Sequence, residues 1–390
     1  MGALTILLAA AGAASAPAAT AQAATVRVEF DARRIGAVQA RGLADRATGR
    51  AATADDPVRI ASVSKLVVAL GVMRMVEAGT LDLDADVSRT LGWELRNPNS
   101  NDVPITLRML LSHTAGLRDD GEGYVIPLEG SLRAAVARPA AWDSEHRTGS
   151  WFHYSNLNFG VIGSVMEAAS GERFDTLIAR LVLKPLKLDA CFNWTTCSDV
   201  KAARAVVLYG ADGSVRRDDL KGARPACPVN ASGPCDLSAY RLASNGALFS
   251  PQGGLRISAR DLARIGQMLL RRGEDFLKPA SVAAMTRPHW VFDGDNGDTD
   301  NGFYCAYGLA VQLTALARPG TPAVECHDDV FGDGRPRFGH AGEAYGLRSG
   351  LWIDPNAKRG VAYFTTAVAD DAPKGRSAYT AAEEALARGN

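Results

Sequence analysis

Apolar and polar positions change their spacing several times along the chain, and each change predicts an element. Residues 26–30 alternate, and residues 36–44 carry Val38 and Leu43, which predicts two strands. Thr48-Gly49 and Asp55-Asp56-Pro57 read as turns. The pattern then turns apolar at nearly every position through Leu66, Val67, Val68, Leu70, Val72, Met73, Met75 and Val76. A helix apolar on all sides is a central, buried one, here stopped by Gly79. Leu81-Asp82-Leu83-Asp84 reads as an exposed connection.

A second helix is expected after Thr106 as cap, with Leu107, Leu110 and Leu111 inward. A third carries Phe159, Val161, Ile162, Val165 and Met166 and ends before Gly171, and a fourth carries Phe174, Leu177, Ile178 and Leu181. Residues 189–250 lose periodicity and hold four cysteines, so they read as a disulfide-braced excursion over the functional cleft. Order returns at residues 253–258. There Ser258 and Asp261 form a capping pair for a helix with Leu262, Ile265 and Leu269 inward. The end of the chain reads as strands over 337–342, 346–353 and 360–366, the last two joined at Asp354-Pro355-Asn356, with a closing helix over 378–387.

The composition is that of a globular protein: 390 residues, 47% hydrophobic and 22% charged. A formal net charge of +0 gives no general pull toward nucleic acid or anionic membrane. No apolar run beyond the first residues is long enough for a membrane span. Residues 1–23 read as an export signal, with an apolar core over 4–14 and Ala21-Gln22-Ala23 as the cleavage pattern, although no Lys or Arg precedes the core. Periplasmic or secreted material is therefore expected. In such a compartment Cys191, Cys197, Cys227, Cys235, Cys305 and Cys326 read as disulfides, the simplest pairing being between sequence neighbours. A zinc site is disfavoured because no Cys-x-x-Cys pair exists.

Candidate chemistry begins at Ser62. Lys65 stands three residues on, and residues three apart on a helix share a face. A serine hydroxyl needs a neighbour to take its proton, and a lysine in an apolar site can be that neighbour. The competing reading makes Ser62 a helix cap. Tyr154 and Asn156, two apart in an extended approach to a helix, would face one cleft, where a phenol relays a proton and an amide contacts a substrate. His113 tempts as a base but is expected instead to satisfy backbone groups at a helix end. The acidic stretch 293–300 lacks the glycine placement and the final Glu of an EF-hand loop and reads as a solvated turn.

Three pieces stand in order: Ser62-Val63-Ser64-Lys65, Tyr154-Ser155-Asn156 and His340-Ala341-Gly342. With the stretches 105–108, 111–117 and 253–258 they resemble the serine penicillin-recognising enzymes, most closely the class C β-lactamase-like serine hydrolases. That group holds D-Ala-D-Ala carboxypeptidases, D-amino-acid peptidases and amidases, and β-lactamase-like esterases. The resemblance implies an α/β (α+β) fold, with an antiparallel sheet built from both chain ends and flanked by helices, beside a mostly helical lobe. The implied division is a signal at 1–23 and one two-lobed domain at 24–390. Its sheet lobe is 24–61 and 335–390, and its helical lobe 62–334.

The resemblance also implies roles. Ser62 is the nucleophile, Lys65 holds and deprotonates it, and Tyr154 passes the proton to the leaving group and later activates water. Asn156 contacts the substrate amide, and the backbone N–H groups of Ser62 and of Glu343, next to Gly342, form the oxyanion hole. His340 stands where many relatives carry the Lys of Lys-Thr-Gly, and Ala341 replaces the Thr. These departures weaken a β-lactamase reading and favour an esterase or peptidase, with His340 as a pH-dependent contact for a substrate carboxylate. No cofactor or metal is expected, and the partner is a small-molecule or peptide substrate. The competing function is a non-catalytic penicillin-binding or sensor domain of the same fold.

Overall fold

A computed structural model describes residues 22–120, 123–216, 225, 227–316, 320–322 and 325–390. The apolar core of the expected export signal, residues 4–14, lies outside the described residues.

The main sheet runs Ile35–Arg41, Thr25–Asp31, Arg359–Thr365, Leu347–Asp354, Arg337–Ala344, Gln312–Thr314, Ala306–Tyr307, Trp290–Val291 in spatial order, every neighbour antiparallel. The first strand of the sequence pairs with the last, Thr25 opposite Thr365 and Asp31 opposite Arg359. Both chain ends therefore build the sheet, as expected. Its last three strands come from residues 290–314, inside the span expected to be the helical lobe. They are two or three residues long, too short to show alternation in sequence.

The central strands bury both faces. Leu351, Ile353, Ala362 and Phe364 join the main core, while Trp352, Val361 and Tyr363 form a second cluster with Tyr379 and Ala387. Successive side chains on a strand point to opposite faces, so strands covered on both sides read as nearly continuous apolar runs. On the main-core side Gly266 of the Ala259–Leu270 helix meets the Phe30 ring so closely that a side chain there would collide with it. Ser258 caps that helix through Asp261 N at 3.1 Å, but the Asp261 carboxylate does not reciprocate. It accepts from Asp189 N and Arg264 instead. The Ala381–Arg388 helix starts with a complete capping box between Thr380 and Glu383.

The Ser64–Glu77 helix is the central element, buried through Met73. It ends at Gly79 in the left-handed region, φ 72°, as a C′ glycine should. Leu81 and Leu83 turn inward after it, so only the aspartates of that connection are exposed. The excursion after residue 189 is more ordered than expected. Cys191–Phe192 pairs with Leu255–Ile257, which also pairs with Val58–Arg59, and this small sheet leads the chain into the Ser62 turn. The disulfides join sequence neighbours, Cys191–Cys197, Cys227–Cys235 and Cys305–Cys326, with Cα separations of 5.3, 5.5 and 5.6 Å. Among the described residues no helix is long and apolar enough to cross a membrane.

Candidate active site

Ser62 sits in a single 3-10 turn, Ala61–Val63, just ahead of the Ser64–Glu77 helix rather than inside it. The three-residue spacing to Lys65 survives because the turn runs straight into the helix. The Lys65 ammonium is fully buried and donates three hydrogen bonds: to Ser62 Oγ at 3.0 Å, Asn156 Oδ1 at 2.7 Å and the Gln252 carbonyl at 2.9 Å. Burial brings its pKa down to about 7, with the Asp119 carboxylate pulling the other way. A lysine so placed is poised between ammonium and free amine near neutral pH.

Tyr154 lies on the other side of Lys65, whose ammonium is 4.8 Å from the ring centre. The ring is sandwiched between His113, 4.4 Å between centres, and Tyr304, 4.8 Å. Its hydroxyl is buried and completes no hydrogen bond of normal geometry. Burial pushes the phenol pKa up, opposed by the nearby Ser62 and Tyr304 hydroxyls, so the phenol keeps its proton.

His113 satisfies a backbone group as expected, but not at its own helix end. Its Nδ1 accepts from Ser155 N at 3.1 Å and Asn158 Nδ2 at 3.0 Å, and burial holds its pKa well below the usual value. It is a neutral brace beneath the Tyr154 loop. Asp119 is a second brace. Its carboxylate accepts from Ser155 Oγ at 2.8 Å, Asn156 Nδ2 at 2.8 Å and Leu157 N at 3.0 Å.

Strand Arg337–Ala344 closes the far side. Ser349 Oγ donates to the Ile60 carbonyl at 2.8 Å, tying the Ser62 turn to the sheet, and Gly342 lies directly against that turn. Glu343 points its side chain outward, paired with Arg348 at 2.7 Å.

His340 does not line the cleft, contrary to the expectation. Strand alternation puts it on the Gly342 face, which the Ser62 turn covers. There it is 1% exposed, with Nε2 2.7 Å from Tyr307 Oη and Nδ1 2.5 Å from the Ala341 carbonyl. A carbonyl only accepts, so Nδ1 carries the hydrogen and Nε2 accepts from the phenol. Burial, with help from the Lys65 charge, lowers its pKa to about 3.

Two cavities meet at Ser62, Asn156 and Glu343. One, about 490 Å³, is walled by Tyr124, Val125, Ile126, Trp194, Val229 and Tyr345; the other, about 500 Å³, by Tyr154, Phe303, Tyr304, Arg348 and Lys374. The first wall draws on both residues 124–126 and the cysteine excursion. Leu128 N donates to the Asn230 carbonyl at 2.8 Å, and Glu129 accepts from Ser232 N and Gly233 N, so hydrogen bonds join the two segments. In the acidic stretch Asp298 is engaged with His153 and with Trp151 Nε1. Among the described residues no group of His, Cys, Asp and Glu could hold a metal ion.

A serine beside a buried lysine in a two-sided cleft, on this sheet-and-helix frame, is the arrangement of a β-lactamase-fold serine hydrolase. A family model described as Beta-lactamase matches residues 18–386, and the chain belongs to that family. Esterase EstB of Burkholderia gladioli is 31% identical over 285 residues, 65% of this chain and 70% of the esterase. Among solved structures, the octameric penicillin-binding protein homologue from Pyrococcus abyssi superposes with a TM-score of 0.66 at 18% identity, covering 93% of this chain and 72% of that one. D-amino acid amidase from Ochrobactrum anthropi SV3, complexed with L-phenylalanine amide, superposes with a TM-score of 0.63 at 18% identity, covering 89% and 87%. These two share the fold.

Proposed function

We propose that the protein is an exported hydrolase that cleaves a small ester, or a D-amino-acid amide or peptide, through an acyl-enzyme on Ser62. The observation that carries this reading is the 3.0 Å contact between Lys65 Nζ and Ser62 Oγ, made by an amine whose pKa is about 7. Neutral Lys65 takes the Ser62 proton as Oγ bonds to the substrate carbonyl carbon. The negative charge that forms on the carbonyl oxygen is held by the backbone N–H groups of Ser62 and Glu343. Tyr154, kept protonated by burial, donates its proton to the departing alcohol or amine and recovers one from Lys65. The acyl–oxygen bond to Ser62 is then broken by water, with Tyr154 and Lys65 relaying the proton back to Oγ. Asn156 contacts the substrate amide or ester carbonyl.

The neutral His340 and the methyl group of Ala341 put no fixed cation and no hydroxyl at these two positions. That favours neutral esters and amides over β-lactams, and the likeness to an esterase supports the same choice. The three disulfides and the signal-like 1–23 support export, with residues 24–390 acting as one domain. The test is a panel of p-nitrophenyl acetate and butyrate, a D-alanyl amide and nitrocefin, for wild type and Ser62→Ala. Esters turned over fastest, with loss of turnover in the variant, is the expected result. Hydrolysis that survives Ser62→Ala would reject the reading.

A further inference from the structure

The acyl-enzyme reading leaves one question open: what aims the lysine. An ammonium has three N–H donors, and Lys65 meets three acceptors. Once it has lost a proton it keeps two. The Gln252 carbonyl and the Asn156 amide oxygen can only accept, so they hold those two hydrogens. The lone pair is left facing Ser62. This depends on Asn156 presenting oxygen, not nitrogen, to Lys65. A flipped amide would offer an N–H to the lone pair and draw it away from the serine.

The amide does not flip because of what lies behind it. Asn156 Nδ2 donates to Asp119 Oδ2 at 2.8 Å, while Asp119 Oδ1 is held by Ser155 Oγ and Leu157 N. In a flipped amide, oxygen would face a carboxylate oxygen, two acceptors with no hydrogen between them. We propose that Asp119 is the positioning residue of this site: it fixes the orientation of the Asn156 amide and through it aims the Lys65 amine at Ser62. It touches no substrate.

Asp119 also acts through its charge. Around Lys65 stand Tyr154, His113, His340 and, behind them, Tyr304 and Tyr307. Burial keeps both imidazoles and all three phenols uncharged near neutral pH. Among the described residues, the Asp119 carboxylate is the charge that raises the Lys65 pKa against burial.

The inference rests on the acyl-enzyme reading, and its test separates the two. Asp119→Asn keeps the shape but sets an amide nitrogen against Asn156 Nδ2, which a flip of Asn156 would relieve. The double variant Asp119→Asn with Asn156→Asp restores the pattern of donors and acceptors, since Asp at 156 accepts from both Asn at 119 and Lys65. The measurement is kcat/KM against pH on a neutral ester, for wild type and both variants. The high-pH plateau should fall roughly 10- to 100-fold in Asp119→Asn. In the same variant the acid limb should move down by roughly half a unit to one unit, as the charge is lost. The double variant loses the Asn156 amide contact with substrate, so its plateau stays low, but its acid limb should lie above that of wild type because the carboxylate now touches Lys65. An unchanged plateau in Asp119→Asn, or any other order of the acid limbs, overturns the proposal. A fluorophosphonate adduct mapped on each protein completes the set. Wild type labelled elsewhere than Ser62 counts against the acyl-enzyme itself, whereas Ser62 labelled with the wrong order of limbs counts against Asp119 alone.

Discussion

A Cβ at position 342 would sit 3.2 Å from the backbone nitrogen of Ser62 and would overlap the carbonyl oxygen of Ile60. Gly342 is thus the surface on which the Ser62 turn rests. Gly342→Ala should push that turn off the strand while leaving the sheet ladder paired. Displacement of a nucleophile by about 1 Å can cost roughly 100-fold in rate. We expect a loss of that order in kcat/KM with a cooperative melt retained, checked by ester hydrolysis alongside thermal unfolding. Activity within about twofold of wild type would mean that the turn accommodates a methyl group without moving Ser62.

The Lys65 pKa makes two linked predictions. As a base it must be neutral, so kcat/KM on a neutral ester should rise with pH through about 7 and then level. The same burial costs stability. The unfolded lysine titrates near 10.5 and the folded one near 7, so the unfolded chain binds the extra proton between those values and stability rises with pH across that window. Below pH 7 the folded state carries the full cost of a buried ammonium, on the order of several kcal/mol. Lys65→Met should therefore abolish turnover. It should also raise the melting temperature relative to wild type more at pH 6 than at pH 9. A gap between the two proteins that does not change with pH would contradict the assignment.

Much of this site was legible in the sequence, and the rest was hidden for physical reasons. Ser62 and Lys65 were readable because their geometry is local, one helical turn. Gly342 was readable as part of a short strand motif. Asp119 was not, because it acts on Ser155, Asn156 and Leu157 across more than 30 residues and nothing near it in sequence marks a helix-start brace. Gln252 contributes only a carbonyl, which no side chain reveals. The fold shows the same division: the long strands at both ends were predicted, and the short strands over 290–314 were not. One of those strands supplies Tyr307, the phenol that holds His340, so missing it also left the surroundings of His340 unread.

That correction changes what His340 should do. With a folded pKa near 3 it stays neutral across the working range, so neutral and carboxylate-bearing substrates should show parallel kcat/KM profiles between about pH 5.5 and 8. The unfolded histidine takes up a proton near 6.5 and the folded one does not, so His340 lowers stability as pH falls below 6.5 toward 3. His340→Lys would bury a cation against Tyr307 and Lys65 and should lower the melting temperature rather than improve anion binding. An anionic substrate that gains selectively at low pH would return His340 to the cleft.

The central claim is that Ser62, activated by Lys65, carries the acyl group. Its most direct measurement is the mass of the peptide modified when the purified protein reacts with a fluorophosphonate, at pH 6 and at pH 8. A single adduct on Ser62, formed faster at pH 8 as Lys65 loses its proton, and none in Ser62→Ala, is the expected result. An adduct on another serine, or a Ser62→Ala protein that labels and turns over like wild type, would contradict it.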